Sequence, residues 1–183
     1  MDNGLRTTDF RLGQFHGKIW AEKGNSEAQI QRNLFLSQKI KLWRTRKGPT
    51  VIRIFGYEVP LKKGCSRGEC VDLLGYDEDR NLFLIELKKK DSTEKISDIL
   101  NQLDGYANVV KTILPHIEEE FEKEYFFPMQ FTAIKKIILA PRDFFRPRMK
   151  NLVPGAIEYA YFANKDITTK SDGETINIHL VRQ

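Results

Sequence analysis

Asp72, Glu86 and Lys88 are the residues of this chain whose types and spacing could do chemistry. Glu86 and Lys88 fall within "LFLIELKKK", Leu82–Lys90, whose apolar opening predicts a strand covered on both faces. Residues two apart in a strand share a face, so a carboxylate and an ammonium stand together at the edge of what reads as core. Burying charge is costly unless it is paired or holds a metal. Upstream, "CVDLLGY" predicts a second strand. The polar "GYDEDRN", Gly75–Asn81, predicts the turn that joins the two as a hairpin. A loop centred near Glu78 or Asp79 sets Asp72 across from Ile85 or Glu86. Two carboxylates on neighbouring strands then face each other.

Close carboxylates do not both stay ionised cheaply unless a cation lies between them. Mg²⁺ is commonly held by one or two carboxylates, water and a substrate phosphate. Such an ion activates water and offsets the charge that grows on a phosphoryl group. A lysine on the same face can orient that water or steady the transition state. The same residues have a plainer reading, in which Glu86 and Lys88 pair on an edge strand and Asp72 merely opens the hairpin.

The elements that must position these groups follow from periodicity. "NSEAQIQRNLFLSQKIKLW" predicts a helix, with Asn25 or Ser26 as cap, a Ser26–Gln29 capping box, and Ile30, Leu34 and Leu42 inward. "GPTVIRIFGYEV" predicts a strand. After the hairpin, Ile96, Ile99, Leu103, Tyr106 and Val110 recur at helical spacing, with Ser92 or Thr93 as cap and Pro115 as breaker. A further helix is expected through the acidic segment to Tyr125. "FTAIKKIILAP", "AIEYAYFA" and "TINIHLV" predict the remaining strands, and residues 5–20 a strand or hairpin. The expectation is one α/β domain over residues 1–183, with a mixed central sheet and helices on both faces. Its core would span about 26–140, and strands within 156–181 would be added to it.

The run "GECVDLLGYDEDRNLFLIELKKKDS" resembles the core of the PD-(D/E)XK nucleases, the restriction-endonuclease-like superfamily. "NQLDGY" places Gln102 and Tyr106 where one subset of that superfamily carries Q-x-x-x-Y. The resemblance covers roughly Ser26 to Ala140. It implies a four-stranded mixed sheet flanked by helices, and phosphodiester cleavage dependent on Mg²⁺ or Mn²⁺. It further implies metal ligation by Asp72, Glu86, the Leu87 carbonyl and Glu27, a catalytic role for Lys88, and bracing by Gln102 and Tyr106 one helical turn apart. Val71 stands where the motif's nominal proline would be. Tyr106 also lies on the apolar stripe of its helix, which makes core packing its competing role.

Thirty basic against twenty-five acidic residues give a net charge of +5. The acidic run Glu118–Glu124, a solvated helix face, leaves the rest more basic still. This balance favours a polyanion, and DNA is the expected partner. Lys62, Lys63, Arg67 and Lys90 are candidates for a phosphate track, and Arg142, Arg146 and Arg148 for backbone contacts among aromatic residues. Cys65 and Cys70 lack the companions of a structural metal site and read as reduced thiols. His16, His116 and His179 form no cluster.

No run approaches the ~18 apolar residues of a membrane span, and the first residues lack the apolar core of a signal peptide. Cytoplasm is the expected location. No phosphate-binding G-x-x-x-x-G-K-[ST] loop occurs. Sequence specificity would come from a protein partner, a homodimer or DNA shape. The functional expectation is a metal-dependent nuclease. The alternative is a non-cleaving nucleic-acid-binding module, or a partner-dependent subunit of a restriction, repair or defence complex.

Overall fold

A computed structural model describes residues 27–44, 48–62, 70–153, 155, 157–162 and 175–181. The elements run α1 (Glu27–Ser37), β1 (Lys39–Arg44), β2 (Gly48–Pro60), β3 (Cys70–Tyr76), β4 (Asn81–Leu87) and α2 (Ile96–Tyr125). There follow β5 (Ala133–Pro141), α3 (Arg142–Phe145), a 3₁₀ turn (Arg146–Asn151), β6 (Ile157–Phe162) and β7 (Ile176–Leu180).

The open sheet flanked by helices is not what forms. The seven strands close into a mixed barrel in chain order, and β7 returns to pair in parallel with β1. Strands β1 to β4 are antiparallel neighbours, β4–β5 and β5–β6 are parallel, and β6–β7 is antiparallel. Closure satisfies both edges that an open sheet would leave unpaired. It is driven by the inward residues of the outer strands: Ile40, Leu42, Ile176 and Ile178 join Leu73, Phe83, Ile85, Leu87, Ile137 and Leu139 in one buried cluster. Helix α1 adds Ile30 and Leu34 to that cluster.

A second cluster covers the opposite face of β3, β4 and β5. There Leu74, Leu82, Leu84 and Ile138 pack against Ile99, Leu103, Tyr106, Val110, Ile113, Ile117 and Phe121 of α2. Strand β4 is therefore buried on both faces, as its apolar run requires. Asp77 fixes the hairpin turn, because its carboxylate accepts from the backbone and side-chain N–H groups of Asn81. Arg80 adopts positive φ (61°) to complete it.

Three local expectations change. Helix α1 stops at Ser37, whose hydroxyl donates to the Leu34 carbonyl at 2.7 Å, and Gln38 turns the chain at φ 56°. Leu42 is thus buried from a strand, where Ile40 and Leu42 alternate with exposed Lys39 and Trp43. Helix α2 starts after Lys95, without a side-chain cap from Ser92 or Thr93. It also runs unbroken through Pro115. Exposed Pro115 costs its helix a hydrogen bond, but Ile113, Ile117 and Phe121 on either side are buried in one core and hold the helix together through it. Asn25, Ser26 and the predicted N-terminal hairpin lie outside the described residues.

Candidate active site

The hairpin register decides the site. Leu73 pairs with Ile85 and Leu74 with Leu84, so the next pair in the same register is Asp72 with Glu86. One oxygen of Asp72, Oδ2, accepts the Leu87 N–H at 2.7 Å. From the α1 side, Gln31 Nε2 donates to the Asp72 carbonyl at 2.9 Å. Glu86 is buried, at 3% exposure, as is Lys88 at 7%. Lys88 Nζ donates to Glu86 Oε1 at 2.9 Å and reaches Glu94 Oε2 at 2.8 Å. Its backbone N–H donates to the Leu139 carbonyl of β5, which pins the end of β4.

The second oxygen of Glu86, Oε2, is buried and has no hydrogen-bond partner among the described residues. Burial drives the Asp72 carboxyl well above the usual carboxylate range, and the neighbouring Glu86 carboxylate adds to the shift. Burial raises Glu86 as well, against the pull of the Lys88 ammonium. For Lys88, burial works to lower the value. The Glu86 charge and the hydrogen bonds to Glu94 and Glu86 outweigh it, so the ammonium is held above its ordinary range. Lys88 is therefore a cationic donor and not a base. An ammonium has three donors, and two are engaged by Glu86 and Glu94.

Gln102 and Tyr106 of α2 meet as the Q-x-x-x-Y spacing predicts, with Gln102 Nε2 donating to the Tyr106 oxygen at 2.7 Å. Tyr106 is also part of the outer core, so packing and site roles coincide. Burial is the main cause that pushes its phenol up to about 12, and the charges of Glu86 and Asp72 add to it. Glu27 opens α1, close enough for its charge to raise both Asp72 and Glu86. Its Oε2 accepts the Lys89 N–H at 3.0 Å.

Among the described residues, no three His, Cys, Asp and Glu side chains converge as a metal cage. The donor set that fits a hard divalent ion is the facing pair, with the unpartnered Glu86 Oε2, completed by backbone carbonyl, water and phosphate oxygens. Glu94 is a site residue that the sequence pattern does not single out. It lies in the segment between β4 and α2, where Asp91 is a second acid and nothing in the pattern marks one over the other.

The basic candidates separate. Lys63 and Arg67 lie outside the described residues, and Lys62 is exposed. Lys90 pairs with Asp143 at 3.1 Å. Arg148 is not a free cation for phosphate: its guanidinium donates to the Phe144 and Ser92 carbonyls and lies over the Phe144 ring at 4.2 Å. Arg142 opens α3 and Arg146 follows it, both exposed. Cys70 is half-buried.

No protein-family model, curated protein or solved structure matches this chain. Among the described residues, no helix is long and apolar enough to cross a membrane.

Proposed function

We propose that this protein is a metal-dependent nuclease that hydrolyses phosphodiester bonds, with DNA as the substrate class. The observation that carries the reading is the buried, unpartnered Glu86 Oε2 beside a second carboxyl, both driven up by burial. That arrangement is unfavourable for a bare protein and favourable around a cation. Asp72 and Glu86 would hold Mg²⁺ or Mn²⁺ with the Leu87 carbonyl. When bound, the ion supplies the Lewis acidity that makes water a nucleophile at neutral pH.

The chain's own groups have distinct tasks in this reading. The Leu87 N–H orients Asp72. Glu86 and Glu94 fix Lys88 from two directions, which aims its remaining N–H at a phosphoryl oxygen. Gln102 donates to the Tyr106 oxygen and fixes the position of the phenol beside the carboxyl pair. Glu27 braces the backbone just past Lys88. The likeness to the PD-(D/E)XK pattern supports the reading through these motif residues, not through the architecture.

The test is cleavage of labelled single-stranded, duplex and branched DNA in Mg²⁺, Mn²⁺ or EDTA, for wild type, Asp72→Asn and Lys88→Ala. Metal-dependent cutting that both substitutions abolish supports the proposal. DNA that is retained equally in EDTA and Mg²⁺ and never cut would replace it with a binding module.

A further inference from the structure

A cleft of about 410 Å³ lies where β5 gives way to α3, lined by Arg142, Phe145, Arg146, Tyr161, Leu180 and Val181 among others. Its two guanidiniums come from residues four apart, which share a face. Arg142 has no carboxylate within ion-pair distance among the described residues and lies over the Tyr161 ring at 5.6 Å. Among the described residues Arg146 reaches only Asp143, at 3.2 Å, and that half-buried carboxylate is shared with Lys90. Surface pairs of this kind contribute little, so the cleft keeps an excess of positive charge. Phe145 is buried, while Leu180 and Val181 are half-buried, and together they add an apolar wall. Beyond Tyr161, the His179 ring stands 5.5 Å from the phenol ring.

A cleft with two cations on one side and an apolar, aromatic wall on the other suits a planar ring that carries an anionic group. Arg both binds phosphate in a fork and stacks on planar groups. The volume is that of a small-molecule site. The place is as telling as the lining. Strands β4, β5 and β6 are parallel, so their C-terminal ends share one end of the barrel. Glu86 stands at the end of β4, Arg142 follows β5 and Tyr161 lies near the end of β6. Strand spacing then places Tyr161 about 10 Å from β4.

We propose that this cleft is a nucleotide subsite, which holds the phosphate and base of single-stranded DNA next to the phosphodiester presented to Asp72 and Glu86. The phosphate lies between Arg142 and Arg146, and the base lies along Tyr161 and the apolar wall. The placement beside the scissile bond rests on the nuclease reading; the binding of a nucleotide does not.

The experiment measures anisotropy of a short fluorescein-labelled oligothymidylate in EDTA, where no cutting intervenes, across a range of NaCl concentrations. The proteins are wild type, Arg142→Ala/Arg146→Ala, and Lys111→Ala on the exposed face of α2 as control. The double substitution should weaken binding at least tenfold and reduce the salt slope by about 0.7, the value for one phosphate no longer neutralised. Lys111→Ala should change neither. Thymidine 5′-monophosphate should compete at least tenfold better than inorganic phosphate. Unaltered binding and slope in the double variant, or no binding by wild type, overturns the subsite. Equal competition by phosphate reduces it to a bare anion site and overturns the nucleotide assignment. Wild type that cuts DNA while the double variant binds normally sinks this proposal alone. Arginine-dependent binding without any cutting sinks the nuclease reading and keeps the subsite.

Discussion

The backbone N–H of Leu87 donates to Asp72 Oδ2 at 2.7 Å, so the first carboxylate is aimed by the strand that carries the second. Asp72 is thereby held by main chain, while Glu86 is held through its Oε1 by the Lys88 ammonium. Preorganisation of this kind is what lets a site stabilise charge without rearranging during the reaction.

That pair should leave a signature in stability against pH. A carboxyl whose value is raised by folding binds its proton more tightly in the folded state. The resulting penalty is absent below the ordinary carboxylate value and grows as pH rises from there through the raised folded value. Asp72→Asn removes the main source of that penalty. In EDTA at neutral pH the variant should melt above wild type, and the gap should close on acidification. Mg²⁺ should raise the melting temperature of wild type at neutral pH and not that of the variant. Calorimetry against pH checks both; parallel curves for the two proteins would contradict the buried-pair account.

Lys88 and Glu94 should separate structure from positioning. Lys88→Met leaves Glu86 buried without its cation, and breaking a buried pair from one side costs about 3–5 kcal/mol. Glu94 is a third exposed, so Glu94→Gln should cost at most ~1 kcal/mol. It frees one restraint on the ammonium, however, and misplacement of a catalytic group can cost up to ~10²-fold in rate. Urea denaturation should therefore separate the two variants, whereas single-turnover cleavage should be low in both. Glu94→Gln is expected near wild type in stability and well below it in turnover, with substrate binding unchanged.

Tyr106 offers a spectroscopic check. With its phenol pushed up to about 12, it should titrate after an ordinary tyrosine, whose value is about 10. The ultraviolet titration difference between wild type and Tyr106→Phe should show this late component. The same variant keeps the ring in the core and loses about one hydrogen bond, worth ~1 kcal/mol. A large loss of cleavage with that small loss of stability would assign the phenol to the site. Matching small losses would leave it as packing.

The local frame of the site is legible in the sequence because its signals are short-range. The "GYDEDRN" turn, with Asp77 bonding Asn81, fixes a register that counting along the chain anticipates. The apolar run of β4 and the 3.6 period of α2 likewise predict what each element buries. Closure is not legible. It depends on β7 finding β1, a parallel pairing between Leu42 and Ile178 that no local pattern announces. The "QKIKLW" segment misleads for a related reason, because Ile30, Leu34 and Leu42 fit one helical stripe although the chain turns at Gln38. Glu94 escapes notice because its role emerges only when the loop folds back over Lys88.

Two glycines test how tightly the barrel holds the site. Gly75 lies opposite Ile54 and Phe83 in the central strand of the β2–β3–β4 meander. A methyl group there would stand 2.6 Å from Ile52 Cγ2 and 3.0 Å from the Arg53 carbonyl oxygen. The second contact is backbone and cannot rotate away, so Gly75→Ala must displace β3 against β2. Overpacking of this kind costs about 1–3 kcal/mol, and the displaced strand also carries Asp72. At Gly105, on the exposed face of α2, an added methyl group would meet nothing within 4 Å. There Gly→Ala should stabilise by up to ~1 kcal/mol through helix propensity. Urea titrations should move in opposite directions for the two substitutions. Cleavage should fall for Gly75→Ala beyond what its unfolded fraction explains, and stay at wild-type level for Gly105→Ala. If Gly75→Ala keeps full activity once folded, the position of Asp72 is not set by the packing of β3 on β2.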